Sequence, residues 1–171
     1  FSAAILCSAG LLLSAGGLFW LSRCMPGQPV ELTLPALVLI GLGISLPWGL
    51  MDGLAVSVVP KERAGMATGI FSTTRIAGEG IALAIVSALL TALLNWKLGA
   101  GPDVAQAAQK LATGNIASAM GLLGPVSPEA VLQTYGEAFG QLLQILAEIT
   151  LVTALAIFIV MRIPDKAVIA A

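Results

Sequence analysis

Apolar positions in this chain gather into four long runs, at 1–22, 34–59, 66–95 and 142–161, the first three separated by short polar turns and the last by a long connection. Each run is near or above the about 20 residues that an α-helix needs to cross the hydrocarbon core of a bilayer. A buried soluble helix could account for one such run. Four of them, with so few charges between, predict an all-α protein of polytopic transmembrane helices. Pro47 falls mid-run and removes one backbone hydrogen bond, which predicts a kink in the second helix, either architectural or part of a gate. Gly49 and Gly53, and again Gly65 and Gly69, stand four apart, a spacing that allows close helix approach in lipid.

The connection at 97–141 is the least apolar part of the chain. Pro102-Asp103 opens a weakly amphipathic stretch with Val104, Ala108 and Leu111 on one side. Gly124-Pro125 then breaks the chain. Ser127-Pro128-Glu129 follows as a helix start, with Ser as N-cap, Pro at N1 and an acid in the first turn. The last helix is therefore expected to begin outside the membrane and run into the fourth span.

Composition strengthens the membrane reading. Of 171 residues, 58% are hydrophobic and 10% charged, with a mean hydropathy of +0.99, whereas soluble domains carry about 25% charged residues. The net charge of −1 leaves no basic surface for nucleic acid. The chain has no histidine. This removes imidazole acid–base chemistry, the histidine-dependent nucleophile systems and most zinc sites, so neither an enzyme nor a metal or cofactor protein is expected. Cys7 and Cys24, if on one helix, lie about 25 Å apart, too far for a disulfide.

Loop charges suggest an orientation. Lys61 and Arg63 occupy the tight turn after the second span, and Arg162 and Lys166 follow the fourth. Arg23, Lys97 and Lys110 are spread more thinly on the other side. Under the positive-inside tendency, both chain ends, including a tail at 163–171, are expected in the cytoplasm. Trp20 and Trp96 then fall at the outer interface. Phe1 already lies inside an apolar run with no basic region before it, which predicts that the chain is a piece of a longer protein beginning within a helix.

Four ionisable residues lie inside spans: Asp52, Arg75, Glu79 and Glu148. Charges at such depth usually face a bundle interior or an aqueous path. Ser45, Gly49 and Asp52 share one side of the second helix, about 12 Å from its cytoplasmic end at Asp52. Asp52 there either lines a water-accessible cavity or remains hydrated by the inner vestibule. On the third helix, Thr68, Ser72, Arg75 and Glu79 follow at i, i+4, i+7 and i+11 and form one narrow face. Arg75 and Glu79 are either a structural ion pair or a pair that opens to let Glu79 take up a proton. Glu137, Gln141, Gln144 and Glu148 share a face of the last helix, which marks either its wetted outer end or a transport site.

The run Val59-Pro60-Lys61-Glu62-Arg63-Ala64-Gly65-Met66-Ala67-Thr68-Gly69, continued by Ser72-Thr73-Thr74-Arg75 and Gly78, resembles a segment of the major facilitator superfamily. It is most similar to the EmrB/QacA-type drug/proton antiporters of 14 helices. The resemblance is clearest from Leu34 to Asn95. It implies that the four spans are the last four helices of the transporter's C-terminal half, with Asp52, Ser72, Arg75 and Glu79 on cavity-facing helices. Where the family pattern carries a second glycine, this chain has Glu79, and a later helix-packing glycine is Ala82.

The resemblance implies proton-coupled efflux of drugs or other small organic molecules across the inner membrane. The partners it implies are a small-molecule substrate, protons, the bilayer and the transporter's remaining N-terminal helices. Four helices alone are not expected to transport. The rival expectation is a small four-helix membrane scaffold that binds partner helices through its glycine faces.

Overall fold

The computed structural model describes residues 3–24, 29–57, 59–99, 101–124 and 126–162, with the side chains of 3, 4, 52, 54–56, 161 and 162 outside the described set. The expected tail at 163–171 lies outside it as well. Among the described residues six α-helices are formed: α1 (Ala3–Ser22), α2 (Val30–Ser57), α3 (Ala64–Leu98), α4 (Pro102–Ala112), α5 (Ile116–Leu123) and α6 (Pro128–Arg162). No strand occurs among the described residues. Helices α1, α2, α3 and α6 are each long and apolar enough to cross a membrane. The protein is thus all-α with four potential spans.

Local sequence explains where the helices begin. The Ser127 hydroxyl accepts a hydrogen bond from the Ala130 N–H at 3.4 Å, and Pro128 is the first helical residue of α6; both follow from the Ser-Pro-Glu start. Helix α4 opens at Pro102 with Asp103 in its first turn and Lys110 in its last, charges that suit the ends of the helix dipole. Helix α5 is capped by Asn115, whose side chain accepts from the Ser118 N–H at 3.2 Å. Between α2 and α3 the basic turn Lys61–Arg63 forms one 3-10 turn.

Packing divides into two regions. In the first, α1 lies between α2 and α6 and packs along both. Its contact with α2 depends on small residues. A Cβ on Gly10 would stand 2.6 Å from the Gly43 carbonyl oxygen and 2.8 Å from Cδ of Pro47, and one on Gly17 would stand 2.9 Å from the Ala36 carbonyl oxygen. The Ser14 hydroxyl donates to the Ile40 carbonyl across this contact at 3.3 Å. Pro47 is buried here, so the proline occupies a helix crossing, which favours its architectural role. Helix α2 continues through it without a break.

The glycine pairs singled out by spacing make no such contact among the described residues. A Cβ on Gly49, Gly53, Gly65 or Gly69 meets nothing within 4 Å among the described residues. Their faces are open to whatever lies beyond the described helices.

The second region is an apolar cap. Leu90 and Leu94 of α3, Ala107, Ala108 and Leu111 of α4, Ala119 of α5, and Val131, Ala138 and Leu142 of α6 form one buried cluster. The predicted face of α4 is the one buried, with Ala107 added to it. Lys97 at the end of α3 pairs with Glu137 of α6 at 2.9 Å on the rim of this cap. Trp20 and Trp96 are both exposed. Lys97, next to Trp96, lines one groove with Ser22 and Arg23, which follow Trp20, so both rings stand at this cap end of the bundle.

Candidate functional site

Arg75 sits eleven residues into α3, about 16 Å from its start at the usual rise of about 1.5 Å per residue. Trp48 sits nine residues before the end of α2. The two helices run in opposite directions from the Lys61–Arg63 turn, which brings these residues to the same depth. The Arg75 guanidinium carbon lies 5.1 Å from the centroid of the Trp48 ring and 5.8 Å from that of Phe71. A guanidinium over aromatic faces is attracted by the ring quadrupole, and more strongly where water is scarce.

Glu79 is one turn further along α3. Its Oε1 stands 3.7 Å from Nε of Arg75, with the Arg75 side chain 32% exposed and that of Glu79 54% exposed. This is a loose contact beside the 2.9 Å pair of Lys97 and Glu137. Arg75 is therefore placed by two rings and touched by a carboxylate that remains open on its other side. Ser72 is half-buried on the same face and Thr68 is exposed. The Thr68 hydroxyl donates to the Ala64 carbonyl at 2.9 Å, which occupies its proton within the helix and leaves its oxygen able to accept.

The expected polar face is thus assembled as spaced: Thr68, Ser72, Arg75 and Glu79 lie along α3. Asp52 lies on α2 one turn beyond Trp48; its side chain falls outside the described residues. Sequence reasoning did not single out Trp48, because nothing in the spacing of one helix announces an aromatic supplied by another. The polar face turns toward α2 at Ser72 and Arg75, which are half-buried, and is open at Thr68 and Glu79. From Ala64 to Leu89 no residue of α3 is fully buried, and Ile70, Ile76, Ile81 and Leu83 are all more than 60% exposed. Apart from the strip with Ala64, Ala67, Phe71, Ser72 and Arg75, the first half of α3 lacks cover from the described helices.

Glu148 lies further along the polar face of α6. It is eleven residues past Glu137, so about 16 Å from the cap end along α6. There it lines a groove between α1 and α6 together with Leu12, Ala15, Gly16, Phe19, Ala147 and Leu151. The polar face of α6 continues to mid-span because its residues recur at helical spacing, whereas the neighbouring face of α1 turns apolar below Arg23.

Four membrane-length helices with charged groups at mid-depth define a polytopic membrane protein, the class to which transporters belong. Comparison with known proteins agrees with that class. A 65-residue stretch is 42% identical to "Multidrug resistance protein Stp" of Mycobacterium tuberculosis, covering 35% of this chain and 12% of that protein. An 89-residue stretch is 30% identical to "Uncharacterized transporter YebQ" of Escherichia coli strain K12, covering 52% of this chain and 19% of that protein. The chain thus spans less than a fifth of the length of these relatives in the matched regions. No family model matches the sequence, and no solved structure matches the fold.

Proposed function

We propose that this chain is part of a proton-coupled efflux transporter of the major facilitator superfamily, of the EmrB/QacA type. It exports drugs or other small organic molecules across the inner membrane, with the C-terminus in the cytoplasm. The similarity to two transporters, one named for multidrug resistance, supports transport. The observation that carries the coupling reading is the unequal hold on the two charges. Arg75 is fixed by Trp48 and Phe71, while Glu79 touches it at 3.7 Å and is open on its far side.

The mechanism follows from that inequality. A nearby guanidinium favours the ionised carboxylate, and an apolar surrounding favours the protonated one. When α2 moves relative to α3, Trp48 draws the Arg75 guanidinium with it, and the distance to Glu79 changes. Glu79 then binds a proton in one conformation and releases it in the other. A substrate that prefers the deprotonated conformation is carried in exchange, because each ligand shifts the equilibrium by its difference in affinity for the two states. Ser72 adds a neutral hydroxyl to the same face, and Asp52 a second carboxylate from α2. The uncovered length of α3 is the surface on which the transporter's remaining helices pack.

The test is Glu79→Gln in the full-length transporter reconstituted in liposomes, with export of a fluorescent organic cation driven by an imposed pH gradient. Gradient-driven export is expected to fall while expression and dye binding persist. Unchanged coupling would reduce Glu79 to a structural partner of Arg75.

A further inference from the structure

We propose that α3 is hinged at Gly78 and Gly80, between two anchorages that hold its inner and outer parts to different helices. The inner anchorage is α2. The Lys61–Arg63 turn joins the two helices, and the Arg75 guanidinium carbon lies 5.1 Å from the centroid of the Trp48 ring. The outer anchorage is the cap. Leu90 and Leu94 are buried in the cluster shared with α4, α5 and α6, and Val86 packs against it. Lys97 pairs there with Glu137 of α6 at 2.9 Å, its side chain only 16% exposed.

Between the anchorages every residue from Ile76 to Ile85 is exposed, a stretch of about three turns. Leu83 shows how the helices part. It precedes Leu90 by seven residues, which places it on the same face, yet it is 71% exposed where Leu90 is buried. Helix α6 covers this face of α3 at the cap and has left it two turns earlier. The inner part of α3 is thus tied to α2, the outer part to α6, and the middle to neither.

Gly78 and Gly80 both fall in this untied middle. A Cβ on either meets nothing within 4 Å among the described residues, so no described neighbour requires a glycine there. What the two glycines change is the backbone. Each weakens a helix interior relative to alanine, and neither supplies a side chain for the contacts three and four residues away that stiffen a helix. Helix α3 is unbroken from Ala64 to Leu98 in this conformation. When α2 and α6 move relative to one another, a helix fixed to both bends where its backbone is weakest, and closely spaced small residues are where helices kink.

One consequence rests on the coupling reading above. Glu79 lies between the two glycines, while Arg75 stays with Trp48. Bending at this point changes their 3.7 Å separation without undoing either anchorage.

Amide hydrogen exchange of the full-length transporter in lipid nanodiscs, followed by mass spectrometry of peptides from α3, tests the hinge without any substrate. In the parent, the peptide over 76–85 is expected to exchange faster than those over 66–75 and 86–95. Gly78→Ala/Gly80→Ala is expected to slow the middle peptide by about fivefold for each substitution, the ratio that one glycine-to-alanine change in helix propensity gives. Glycines kept for packing predict the opposite sign, because added methyl groups would push a neighbouring helix away and speed exchange. Uniform exchange along α3 in the parent overturns the proposal, and so does an unchanged or faster middle peptide in the double variant. Glu79→Gln keeps both glycines and is expected to leave the exchange pattern in place, so loss of the coupling reading would leave the hinge standing.

Discussion

The guanidinium of Arg75 lies over the indole of Trp48, 5.1 Å from its centroid, and so ties α3 to α2 at the depth where α3 is otherwise uncovered. A charge that costs free energy in lipid is thereby given an attractive surface on the adjacent helix. Glu79, from the same helix, is a loose neighbour of the guanidinium at 3.7 Å.

Removing the ring should therefore loosen the helix pair. Trp48→Ala is expected to lower stability in detergent by roughly 0.5–2 kcal/mol through the lost cation–π contact, with a further loss from packing. Trp48→Phe, which keeps an aromatic face, should recover most of it. Thermal unfolding followed by tryptophan-independent circular dichroism checks the order. Equal destabilisation by both substitutions would mean that Trp48 acts by size rather than by its ring face.

The crossing of α1 and α2 makes a second prediction, in which two glycines on neighbouring helices differ. Gly10→Ala places a methyl within 2.6 Å of the Gly43 carbonyl oxygen and 2.8 Å of the Pro47 ring, so the helices must separate, at a cost of about 1–3 kcal/mol. Gly49→Ala meets nothing within 4 Å among the described residues and gains helix propensity of up to about 1 kcal/mol. In the 171-residue chain, thermal midpoints in detergent should fall for the first and hold or rise for the second. A fall for both would place Gly49 at a contact.

The cap yields a third. Leu111 is fully buried between α3, α5 and α6, and Leu111→Ala should cost about 2–5 kcal/mol of cap stability by leaving a cavity. Because α4 and α5 lie outside the long-helix seam, the loss should be local. Limited proteolysis is expected to cut the variant between Gly99 and Ser127 faster than the parent while α1 stays protected. Uniform acceleration along the chain would show that cap and seam unfold together.

Several particulars were legible before any coordinates. The Ser127 cap, the Pro102 start and the buried side of α4 follow from residue types at fixed offsets along one helix. Helix α5 escaped notice, although Asn115 before an apolar run is an N-cap signal. The groove at Glu148 was not legible for a different reason. A polar face shared with Glu137 says nothing about how deep that face continues once another helix lies alongside.

Hydropathy and charge alone determine that the chain is helical, membrane-length four times over and polar along one line of α3. These are properties of each segment by itself, since every backbone group in lipid must be satisfied within its own helix. Tertiary structure decided which small residues meet, that Pro47 fills a crossing, that Trp48 receives Arg75, and that Glu148 opens into an apolar groove. Each of these depends on the rotation of one helix about its axis relative to another. That rotation is set by the packing of side chains from separate parts of the chain, and no single segment encodes it.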